Sequence, residues 1–148
     1  MSPLAVSGYS SVTSRKINAS LFSQMPASDV RRTLFLDGNG QSTALSDNQR
    51  PYIRPIPYLG VKFGASRYYD GGTDFDASDY PLMRVEEMYY IVAEAMAMAG
   101  RVDEARSYLL SFVNEHRDPA YTIPAGVSPA QLRDMIWMQR RIEFWDST

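Results

Sequence analysis

The chain contains no cysteine, one histidine and no apolar run approaching the length of a bilayer span. Without cysteine there is no disulfide, no thiolate metal site and no thiol nucleophile, while the redox compartment stays open. The lone His116 cannot make a paired-imidazole zinc site, and there is no G-x-S-x-G elbow to seat a serine nucleophile. Near a helix end and beside Arg117, it reads as dipole-stabilising or solvent-facing. Gly38-Asn39-Gly40 lacks the lysine and the following helix of a phosphate loop, so no cofactor and no metal are expected. A membrane helix needs about 20 consecutive apolar residues, which the sequence nowhere supplies. Met1-Ser2-Pro3-Leu4-Ala5-Val6 has neither the basic start nor the apolar stretch of a signal peptide. Charge of one sign is also missing: 15 Lys and Arg oppose 17 Asp and Glu, for a net charge of −2. That leaves no basic footprint for nucleic acid and no polybasic patch for an anionic membrane.

What is present suits a globular core. Hydrophobic residues make up 45% of the 148 positions, enough for one structural domain or part of a larger one. The two halves differ. Residues 1–78 are rich in Ser, Gly, Pro, Asp and Tyr without a helical period. Thr33-Leu34-Phe35-Leu36 and Gly60-Val61-Lys62-Phe63 are candidate short strands between turns at Asp37-Gly38-Asn39-Gly40 and Asp70-Gly71-Gly72. Prolines 51, 55 and 57 argue against a central strand in the 50s. So long a loop-rich stretch is expected to pack on something else.

From Asp79 to the end at 148 the period is helical. Apolar residues at 85, 88, 89, 92, 95, 96 and 99 predict one buried face, with Asp79 as cap, Pro81 in the first turn and Gly100 as the stop. A second helix starts near Val102 and buries Val102, Ala105, Leu109, Phe112 and Val113, with Asp103 and Glu104 at its positive end. Ser128-Pro129-Ala130-Gln131 is a capping box that starts a third. Its stripe is Leu132, Met135, Met138, Ile142 and Trp145, with Ile136 beside it, and both Trp137 and Trp145 are expected in the core. The fold class is therefore mainly α: a helical hairpin plus a third helix, behind a loop-rich half with short strands. Tyr89, Val92, Ala93, Gly100, Ala105 and Leu109 fit the small-residue pattern of a tetratricopeptide repeat, which needs stacking neighbours. A generic helical hairpin fits as well.

A further pattern is family-like. Pro81-Leu82-Met83-Arg84-Val85-Glu86-Glu87-Met88-Tyr89, then Ala93-Glu94-Ala95, resembles the SusD/RagB family of glycan-binding outer-membrane lipoproteins of Bacteroidetes. Ser28-Asp29-Val30-Arg31-Arg32, Asn114-Glu115-His116-Arg117 and Arg140-Arg141-Ile142-Glu143-Phe144 resemble further elements in that family's order. Gln139 departs from the family's glutamate, and Asp146-Ser147-Thr148 replaces its Gly-Glu-Gly. The resemblance covers about residues 28 to 145. It implies a C-terminal or truncated portion of a longer, surface-exposed protein, joined to the membrane only by a lipid anchor this chain lacks. It also implies a non-catalytic role: binding a glycan or oligosaccharide for uptake with a SusC-like TonB-dependent transporter. Arg84, Glu87, Tyr89, Glu94, Asn114, Arg117, Arg141 and Glu143 are its structural positions.

The residues themselves yield few sites. Arg84, Glu87 and Glu94, with Arg140 or Arg141 reaching across, suit an ion-pair network better than the carboxylate pair of a glycoside hydrolase. The acidic run Asp70 to Asp79 lacks the spacing of a calcium loop and reads as solvated. Tyr52, Tyr58, Tyr68 and Tyr69 are candidate sugar-stacking rings, with loop-stapling as the competing role. A protein-interaction module is the second function class; a hydrolase comes last.

Overall fold

The computed structural model describes residues 15–42, 44–45, 50, 53–61 and 84–145. It divides into two units, Met1–Pro26 with Arg31–Tyr80, and Ala27–Val30 with Pro81–Thr148. Among the described residues the fold is mainly helical and almost without strand. The helices are α1 (Ala19–Ser23), α2 (Val85–Met98), α3 (Val102–His116) and α4 (Pro129–Glu143), with a 3-10 turn at Val30–Leu34.

In the second unit, α2 has no glycine or proline between Val85 and Met98 and is rich in Glu, Met and Ala, all good helix formers. Glu86 and Glu87 lie in its first turn, favourable at the positive end of the dipole. It stops at Gly100, whose φ of 79° is left-handed. Gly100 N–H donates to the Ala97 carbonyl at 3.1 Å and Arg101 N–H to Met96 at 2.9 Å, a Schellman closure. The helix therefore reverses at once into α3. The start of α4 is the capping box: Gln131 N–H donates to Ser128 Oγ at 3.2 Å, and Ser128 N–H to Gln131 Oε1 at 2.8 Å.

One core joins the three helices. Tyr90, Ala93 and Ala97 of α2 meet Ala105, Leu109, Phe112 and Val113 of α3, and Leu132 and Ile136 of α4 close the layer with Ile123. Alanine at 93, 97 and 105 lets α2 and α3 approach closely, and each fully buried aliphatic side chain contributes about 1.5–3 kcal/mol. Phe112 is the aromatic hub, stacked on Tyr89 at 4.4 Å and edge-on to Tyr90 at 5.5 Å.

Two expectations are corrected. The buried face of α2 is not the 85, 88, 89, 92, 95, 96, 99 stripe: Val85, Met88, Tyr89 and Val92 are exposed, together with Ile91 and Met98, and Ala95 and Ala99 are exposed too. Of that stripe, Met96 packs against the core and the exposed Tyr89 reaches it through its ring on Phe112. The glutamates of α2 pair with arginines at the edge of the buried face instead of pointing away from it. The face bearing Ala93 and Ala97 is buried because its small side chains admit the closest neighbour. Trp137 likewise lies outside the core, 45% exposed. Trp145 is half-buried. Asp79 and Pro81 lie outside the described residues, but the cap position of α2 is held by Arg84 in extended backbone, not by Asp79 as expected.

The first unit is held differently. Among its described residues strand pairing takes the form of two antiparallel bridges, Lys16 with Leu59 and Phe35 with Gly60. Thr33 and Leu34 belong to the 3-10 turn rather than to a strand. Leu36, Ile53 and Leu59 form its buried cluster. Asp37 Oδ1 accepts from Asn39 N–H and Gln41 N–H, both at 2.8 Å, and fixes the turn there. Arg32 Nη1 donates to the Met25 carbonyl at 2.5 Å while its guanidinium lies 4.2 Å from the Phe22 ring centre.

Candidate functional site

Two polar clusters form on the helical unit. The first gathers around Glu143, whose side chain is 3% exposed. Its Oε1 accepts from Arg84 Nη2 at 2.5 Å and Arg117 Nη2 at 3.1 Å, and its Oε2 from Arg117 Nε at 2.7 Å. Arg84 Nη1 also donates to the Glu143 main-chain carbonyl at 2.9 Å. Glu86 Oε1 completes the set, 3.2 Å from Arg84 Nη2 and 3.0 Å from Arg117 Nη2. Two guanidinium and two carboxylate groups balance in charge, and nearly all the acceptor capacity of the buried carboxylate is used. The start of α2, the end of α3 and the end of α4 are thereby pinned at one point.

Electrostatics agree with that reading. At Glu86, burial pushes the carboxyl upward, but its own backbone N–H and the Arg84 charge outweigh this and leave it below its ordinary value. At Arg117, burial opposes the charge, but the hydrogen bonds and charge of Glu143 prevail and raise it. Both groups stay ionised at neutral pH.

The second cluster lies along the seam of α2 and α4. Trp137 Nε1 donates to Glu94 Oε1 at 2.8 Å, and Arg140 Nη1 donates to Glu94 Oε2 at 3.2 Å. Arg140 Nη2 also stands 3.6 Å from Glu87 Oε1. The Arg133 guanidinium lies 4.6 Å from the Trp137 ring centre and bonds Asp134 Oδ1 at 3.0 Å. Glu87 and Glu94 therefore share one guanidinium along one helix. A hydrolase pair instead faces across the scissile bond with one carboxyl protonated.

The remaining candidates scatter. Tyr89 stacks on Phe112, while Asn114 and Arg141 are exposed. Tyr58, at a φ of 63°, has its ring 5.4 Å from Phe22 and stands over Gly38, a stapling role. Tyr52, Tyr68, Tyr69 and the acidic run from 70 to 79 lie outside the described residues. His116 is exposed, with its ring 5.4 Å from that of Phe112. Among the described residues no group of His, Asp and Glu is arranged to hold a metal ion, and no helix is long and apolar enough to cross a membrane.

Sequence reasoning did not find Glu86 or Trp137. For Trp137 the signal was there: it lies well round the helix from Leu132, Ile136 and Glu143, in line with Arg133 and Arg141. Glu86 gave none, since its partners lie in other elements. Compared with protein-family models, with curated proteins and with solved structures, the chain matches none.

Proposed function

We propose that this chain is part of a non-catalytic scaffold of SusD/RagB type that captures glycans at the outer-membrane surface for a TonB-dependent transporter. The observation that supports the reading is the convergence at Glu143. Arg84, Arg117 and Glu143, all among the positions the resemblance picks out, are up to 59 positions apart and meet at the buried Glu143 carboxylate. Such positions suit a framework whose recognition chemistry lies in the groups it carries. Affinity electrophoresis of the whole chain in gels containing starch, xylan, galactomannan or laminarin tests it: retardation by at least one polysaccharide is expected. Unchanged mobility in all four would count against glycan capture.

A second reading, a tetratricopeptide-like interaction module, draws on the outward face of α2. Val85 and Met98 are 69% and 61% exposed, and Met88, Ile91 and Val92 extend the same apolar surface. Repeat helices of this kind stack on a neighbour. On this reading Val92→Glu removes a protein partner and leaves any glycan retardation unchanged.

A further inference from the structure

We infer that the exposed indole of Trp137, braced by Glu94, Arg140 and Arg133, is a platform for one pyranose ring of a neutral oligosaccharide. This rests on the glycan reading and deepens it by placing a sugar subsite on the α2–α4 seam. Tryptophan is among the costliest side chains to leave in water, and α4 has a core that takes Leu132, Ile136 and Ile142 yet leaves this ring outside. The ring is also held still. Its N–H is fixed on Glu94 and that carboxylate on Arg140, while a guanidinium lies over the ring. A ligand that stacks on a pre-set ring loses little freedom in ordering it.

The surroundings select the ligand class. The C–H face of a pyranose is apolar and faintly positive, matched to the electron-rich face of an indole. Its hydroxyls point outward round the ring and need hydrogen-bond donors and acceptors at the rim. Glu87 and Asp134, 42% and 64% exposed, supply acceptors there, and Arg140, 32% exposed, supplies a donor. An aromatic anchor at a protein interface is instead ringed by neighbours that exclude water. Ile91 and Met98, exposed one turn to either side of Glu94, are apolar groups of that kind, and they make a protein partner the competing outcome.

The test uses the whole chain with maltohexaose, cellohexaose, xylohexaose and mannohexaose. Calorimetry and the Trp137 indole N–H resonance, assigned by its loss in Trp137→Phe, are read together. One hexaose is expected to bind and move that resonance. Trp137→Ala should weaken binding at least about tenfold, the effect of removing about 1.4 kcal/mol of contact, and Trp137→Tyr should restore most of it. Binding that leaves the resonance and the Trp137→Ala affinity unchanged overturns the platform while leaving glycan capture standing. Loss of self-association in Trp137→Ala, with no change in sugar binding, assigns the ring to a protein interface and overturns it too. If no hexaose binds, the platform falls, and the polysaccharide gels decide the broader reading separately.

Discussion

Residues 84–145 carry a larger share of apolar side chains than residues 15–61, and the two regions are held by different means. The helical unit satisfies its backbone within each helix and spends its side chains on one core and one buried ion cluster. Among its described residues the loop-rich unit shows two isolated bridges, with backbone groups met by turns such as that at Asp37 and by side chains such as Arg32. The lesson concerns where each is vulnerable. In the helical unit the sensitive points are polar and long-range; in the other they are backbone positions with no room.

Removing the carboxylate at the centre of the helical unit should have the largest effect. Glu143→Ala leaves the half-buried Arg84 and Arg117 with only Glu86 to share and should cost about 3 kcal/mol, read as a fall in urea midpoint. Amide exchange should locate the loss in α2–α4; equal loss of protection around Leu36 and Leu59 would break the contrast. Next come the two glycines. Both Gly40 and Gly100 have a left-handed φ, of 73° and 79°. A side chain at Gly40 would run into the Pro55 carbonyl, whereas Gly100 opens on free space. Gly100→Ala should therefore cost only the backbone term, about 1 kcal/mol, and Gly40→Ala at least about 2 kcal/mol once the collision is added. Equal thermal shifts would show that the loop-rich unit yields at this point. Smallest is Ser128→Ala, which removes one half of the capping box and should cost about 1 kcal/mol. Its mark would be faster exchange in the first turn of α4, with the core amides unaffected.

The parts of the fold that could be read ahead of the structure were those set by local chemistry. The start of α4 follows from Ser128, Pro129 and Gln131, which interact with one another whatever surrounds them. The buried face of α3 could be read because its apolar residues share a helix with charged ones. On α2 the charged residues Glu86, Glu87 and Glu94 lie on the same half of the helix as the buried Tyr90, Ala93 and Ala97, so periodicity pointed to the opposite face. The ion pairs were legible only as a class. Arg84, Glu87 and Glu94 announced a network, but that Glu94 takes Arg140 and Arg84 takes Glu143 depends on how α4 lies against α2. Trp137 was misplaced because its hydrophobicity was weighed before its angular position.

The Glu143 cluster also bears on the order in which the chain is made. Arg84 and Arg117 leave the ribosome well before their shared carboxylate, 59 and 26 residues later along the chain. Until then α2 and α3 can form their hairpin and bring two guanidinium groups together with only Glu86 between them. Domains of a growing chain assemble from the N-terminal side as they emerge. Docking of α4 is thus the step at which that like-charge strain is relieved. A nascent chain stalled with Arg117 outside the ribosome and Glu143 still within it would hold a hairpin that has not yet closed its own lock.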